Sequence, residues 1–259
     1  MSENATRGEC YINRPDLIVV WPKSVDYPLF RYNLKRFRNY FDQVLIAISD
    51  NGTLEDYTNF FTNNITGAHF KSILRAGGDQ DWRNIAVNSM LEKSTSDRVL
   101  FIEQDFLIRD ERFFEVLLNV NEYDFIYYDE GGRQHPACAL VPRYLIDKTS
   151  RDFSARPPAY DHFGLFFREL NQLGHGADLE TIGLHDRVDH LHLAGTCQNY
   201  HAKPFHKPNQ FLSYNRLCLD LPVVFNEFKE KMIAIDKDPS NPFFLDEPVR
   251  SMFPRKEGV

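Results

Sequence analysis

The first hundred residues alternate between short apolar runs and longer segments with one apolar face. DLIVVWP, residues 16–22, is stopped by Pro22 and reads as a buried strand, and QVLIAIS is a second, ended by the turn signal Asp50-Asn51-Gly52. HFKSIL is a weaker third strand and RVLFIEQDF a fourth. Between them lie helical patterns. YPLFRYNLKRFRNYF sets Leu29, Phe30, Asn33, Leu34, Phe37, Tyr40 and Phe41 at near-helical spacing. TLEDYTNFFTNN follows with Thr53 as N-cap, and GGDQDWRNIAVNSMLEKS places Trp82, Ile85, Ala86, Met90 and Leu91 on one side. Strand and helix alternating four times predict an α/β fold, a mostly parallel sheet flanked by helices.

Beyond Asp110 the pattern is less regular. It predicts a helix near 110–119, a strand YDFIYYD, a Gly-Gly turn at 131 and 132, an apolar run ACALVPRYLI, and a helix HFGLFFRELNQLG. Residues 196–259 are rich in His, Pro and Phe, with one clear amphipathic helix around PVVFNEFKEKMIAI, and read as an irregular C-terminal extension wrapping a single domain, 1–259.

One detail does not suit a buried strand. The fourth run ends in Glu103-Gln104-Asp105, and unpaired charge is costly inside a covered sheet, so these acids belong where the strand leaves the core. Open α/β sheets bind ligands at that end. Two hard carboxylates there suit Mg²⁺ or Mn²⁺, provided a turn at Gln104 lets both face one point. Composition narrows the partners. A net charge of −7 argues against a protein that mainly coats nucleic acid. Cys10, Cys138, Cys197 and Cys218 form no CxxC pair, and the polar N-terminus with no membrane-length apolar stretch leads us to expect a cytoplasmic chain without a transmembrane segment.

In the order of its pieces the chain resembles the GT-A fold glycosyltransferases, in particular the family-2-like group. The resemblance rests on a first strand, SDNGT in the place of Asp-Asp-Gly-Ser or Asp-Asn-Gly-Ser, WRNIAVNSML in the place of Arg-Asn-x-Ala, and FIEQDF in the place of the Asp-x-Asp strand end. It implies a Rossmann-like nucleotide-sugar-binding half over 16–130, an acceptor and metal-completing half over 131–215, and an extension over 216–259. Asp50 would contact the base or ribose of a nucleotide-diphosphate sugar, Arg83 and Asn84 would lie near the nucleotide, and Asp105 would hold Mn²⁺ or Mg²⁺ at the diphosphate. Glu103 stands where the family usually has Asp and would reach the ribose, or the metal through water.

The stretch HDRVDHLHLAGTCQNYHAKPFH, residues 185–206, contains His185, His190, His192, His201 and His206. HLAG resembles the His-x-x-Gly of several metal-dependent GT-A enzymes, which implies that His192 completes the metal shell. For the base that deprotonates a glycan or other hydroxyl acceptor, Asp161 matches the family's helix-borne acid, with Asp129, Glu130 and His162 as rivals. The front half resembles inverting families and HLAG retaining ones, so both stereochemistries stay open. Two other functions also stay open: a nucleotidyltransferase, against which the glycine-free VVWPKSVDYP counts, and a noncatalytic nucleotide- or sugar-binding module.

Overall fold

In the computed structural model, residues 14–20, 33–34, 36–48, 70–75, 82–104, 106–129, 132–154 and 162–190 are described. The four expected strands form: β1 (Asp16–Val20), β2 (Val44–Ile48), β3 (Phe70–Arg75) and β4 (Arg98–Glu103). They are followed by β5 (Phe106–Ile108), β6 (Phe125–Asp129), β7 (Gln134–Pro142), β8 (Gly176–Asp178) and β9 (Val188–His190). One seven-stranded sheet runs β3-β2-β1-β4-β7-β6-β8, while β5 and β9 make a separate two-stranded sheet. In the larger sheet β1 pairs in parallel with β2 and β4, β2 with β3, and β6 with β8, while β7 is antiparallel to β4 and β6; β5 and β9 pair antiparallel. This is the mostly parallel, helix-flanked arrangement that the alternating pattern predicts.

Strand alternation divides the core between the two faces. Leu17, Val19, Val44, Ile46, Leu100 and Ile102 belong to one cluster, which is closed by Phe37 and Phe41, by the small sheet, and by Phe113, Phe114 and Leu117 of α2 (Arg112–Leu117). Ile18, Val20, Leu45, Val99 and Phe101 belong to the other. Three helices cover that second face: α1 (Trp82–Lys93) with Ala86, Val87, Met90 and Leu91, α3 (Arg143–Ile146) with Leu145 and Ile146, and α4 (Gly164–Leu173) with Phe166, Phe167 and Leu170. Phe101 meets Phe163 and Phe166 edge-on, at ring-centroid distances of 5.3 and 6.1 Å, so these rings form part of the core. The apolar run at 137–146 is split by Pro142, which ends β7 in extended geometry just before α3 begins. Among the described residues no helix is long and apolar enough to cross a membrane.

Two local devices set up the amino and carboxyl ends of the strands. At the start of β1, Asp16 is fully buried, and its Oδ2 accepts bonds from the Ser94 hydroxyl, the Thr95 and Ser96 backbone N–H groups and Gln43 Nε2. It thereby ties the loop between α1 and β4 to the first strand. On the far side of the sheet, the β6–β7 register jumps: Tyr127 faces Ala139, while the next residue, Tyr128, faces His135. Pro136 lies in the extra length, at a bulge where a missing N–H breaks no ladder bond.

Candidate metal centre

Glu103 is the last residue of β4 and sits beside Val20, the last residue of β1. It is 7% exposed, so the carboxylate that looked out of place in an apolar strand is indeed drawn into the molecule. Two histidines accompany it. β7 runs antiparallel to β4 only as far as the Ile102–Cys138 pair, and the segment beyond it carries His135 past the end of β4. β9 pairs His190 with Phe106, the first residue of β5. One donor atom each from Glu103, His135 and His190 lie within 4.8 Å of one another, a set able to hold a divalent ion.

The surroundings are tight and aromatic. His190 Nε2 lies 3.4 Å from Glu103 Oε2, and the His190 side chain is fully buried. The His135 and His190 rings are 4.9 Å apart between centroids, and Tyr128 meets His190 edge-on at 5.7 Å and stacks parallel to His185 at 6.4 Å. The Ala137 N–H donates to His135 Nδ1 at 3.1 Å, which leaves the ring proton of that histidine on Nε2. An apolar hollow opens beside the cluster, lined by Leu17, Val19, Leu34, Phe37, Ile102 and Ile108, with Glu103 the single ionisable group among its described lining residues. Asn33, also on its wall, accepts from Ile108 N–H and donates to the Phe106 carbonyl, acting as a one-residue strand along the free edge of β5. Phe106 is thereby held from both sides, by Asn33 and by His190.

Of the candidate site residues singled out in the sequence, the structure describes the side chains of Asn84, Glu103, Asp129, His162, His185 and His190, and Asp129 Oδ1 accepts the Gly132 N–H at 2.7 Å. Asn84, in the first turn of α1, accepts the Phe153 N–H at 3.0 Å and an Asn88 amide hydrogen at 3.2 Å. Asn88 in turn donates to the Arg151 carbonyl. This pair of amides fastens the 151–153 segment, where Arg151 has a φ of 54°, to the helix. Arg83 is the second residue of α1. Asp50, Asp105, Asp161, His192 and Glu130 lie outside the described residues. His190 belongs to the histidine-rich stretch noted in the sequence, but nothing around His135 marked it out: it reaches the cluster through an antiparallel return and a bulge, neither of which leaves a local pattern.

No family model matches the chain, and no curated protein matches it. Solved structures do. A mannosyltransferase from Pyrobaculum calidifontis, in complex with GDP-Man and Mn²⁺, is 13% identical with a TM-score of 0.49, covering 90% of this chain and 73% of its own. A fragment of S. aureus TarS is 15% identical with a TM-score of 0.44; 64% of this chain aligns, and it spans 58% of that fragment's length. A cytidylyltransferase from Leptospira borgpetersenii is 13% identical with a TM-score of 0.43, over 63% of this chain and 74% of its own.

Proposed function

We propose that the chain is a nucleotide-sugar-handling enzyme and that its reaction is glycosyl transfer from a nucleotide-diphosphate sugar to a hydroxyl acceptor, with Mn²⁺ or Mg²⁺ as cofactor. The observation that carries this reading is the buried Glu103, set with two histidines at the carboxyl end of β4 and next to the end of β1. A ligand of an open α/β sheet is received there. A buried carboxylate beside two imidazoles offers a dication both a compensating charge and donor atoms.

The roles are those the resemblance implies. Asp50 reads the nucleoside, Arg83 and Asn84 lie toward the nucleotide, and Asp105 with His192 joins Glu103 around the ion. The acceptor oxygen forms a bond to the anomeric carbon as the bond from that carbon to the diphosphate oxygen breaks, and Asp161 takes the acceptor proton. A bound dication supplies Lewis-acid stabilisation to the departing diphosphate. The donor is held by the 16–130 half and the acceptor by the 131–215 half.

The test is a thermal-shift panel of UDP, GDP, CDP and dTDP and their common sugars, each with and without Mn²⁺, followed by a transfer assay with any sugar that binds. A nucleotide that stabilises only with metal, and whose sugar is turned over with release of the diphosphate, supports the reading. Stabilisation without turnover makes the chain a binding module, and no stabilisation by any donor removes the proposal.

A further inference from the structure

The geometry points to Glu103, His135 and His190 as a three-residue site for a first-row transition-metal dication, selective against Mg²⁺ and Ca²⁺. This set differs from the Asp105 and His192 pair implied by resemblance, and it draws on a strand, β7, that no motif indicated. It rests on the reading that an ion works at this end of the sheet, but its readout is capture of the ion alone.

Three observations carry it. First, the distance between His190 Nε2 and Glu103 Oε2, 3.4 Å, is long for a charge-assisted hydrogen bond. It matches the edge of a tetrahedron whose donor-to-metal bonds are about 2.0–2.1 Å, which is about 3.4 Å. Second, the donor set is two imidazoles and one carboxylate. Imidazole suits iron, nickel, copper and zinc, whereas Mg²⁺ and Ca²⁺ take oxygen donors and Mg²⁺ gives up its water reluctantly. Third, the side chains are enclosed before any ion arrives: the His190 side chain is fully buried beside Tyr128 and Phe106, and His135 is buried at the bulge. Ligands already ordered lose little freedom on binding.

The Ala137 N–H adds a consequence. It now occupies the Nδ1 lone pair of His135, and a ligating imidazole must offer one lone pair to the ion. Binding therefore either displaces this N–H or moves the ring proton from Nε2 to Nδ1, and both break the Ala137 bond. The Ala137 amide becomes a reporter of occupancy.

The experiment titrates the full chain, freed of metal by chelation, with Co²⁺ and then competes with Zn²⁺, Mn²⁺ and Mg²⁺. Expected are one visible Co²⁺ absorption per chain, displacement by Zn²⁺, a preference for Zn²⁺ over Mg²⁺ of about a hundredfold or more, and a shifted Ala137 amide resonance. His135→Ala and His190→Ala should each weaken Co²⁺ binding by about tenfold or more, and His135→Gln, which keeps a polar side chain of similar size, should do the same while melting like wild type in chelator. Equal affinity in a folded His135→Gln variant overturns the inference, as does Mg²⁺ binding as tightly as Zn²⁺. Loss of the ion in Asp105→Asn alone, with His135→Gln unaffected, overturns it in favour of the expected set. Co²⁺ binding that depends on His135 in a chain indifferent to every nucleotide sugar would leave this site standing and remove the transferase.

Discussion

Asp16 shows how a single buried charge is put to structural use. One carboxylate oxygen gathers four donors from Gln43, Ser94, Thr95 and Ser96, two of them backbone N–H groups with no ladder partner at that turn. Replacing it removes charge-assisted bonds and takes the acceptor from the buried donors of Gln43 and Ser94, so Asp16→Ala should lower unfolding free energy by about 3 kcal/mol. Urea denaturation measures this, and Co²⁺ affinity should stay as in wild type, because Asp16 opens β1 while Glu103 lies at its opposite end. Glu103 itself is the contrasting case, a buried acid whose neighbours are imidazoles in place of amide donors. Burial also pushes the Cys138 thiol well above its ordinary range, so this cysteine stays protonated and unreactive in the core of β7.

At the scale of elements, the edge strand β8 depends on a missing side chain. A Cβ at Gly176 would meet the ring of Phe125 at 2.4 Å, and Phe125 is buried in the second core cluster with nowhere to swing. Gly176→Ala should therefore cost about 1–3 kcal/mol through overpacking, read as a lowered urea midpoint with unchanged slope. Elements of this kind differ in how plainly they are written in the sequence. β1, β2 and β4 are continuous apolar runs flanked by turn residues, and their pattern alone places them within a residue or two. α1 was equally plain, since Trp82–Lys93 falls inside the predicted segment. The antiparallel insertion of β7 between β4 and β6 was not, because strand order depends on pairings far apart in sequence. For the same reason Glu103 could be singled out from its apolar context, whereas His135 could not: its place is decided by a register jump opposite Tyr127 and Tyr128. The bond from the Phe153 N–H to Asn84 spans residues far apart in sequence, and no local pattern announces it.

Across the whole molecule, the cluster draws on both halves of the chain, with Glu103 from the first and His135 and His190 from the second. An ion bound only to the folded state should consequently stabilise the molecule as a unit. Zinc at about a hundredfold over its dissociation constant should add about 2.7 kcal/mol to unfolding, seen as a concentration-dependent rise in melting temperature that chelator reverses. The bulge at Pro136 has a different kind of consequence. Pro136 and Ala137 are matched to no residue of β4 or β6, while the ladders on either side of them close independently. A change of length here leaves the pairs on either side available, at a cost in packing because Pro136 and Ala137 are buried. A lineage carrying this sheet would therefore gain, lose or retune the histidine that β7 contributes by a single insertion or deletion, so that ancestry of the scaffold and ancestry of its ion chemistry are inherited separately.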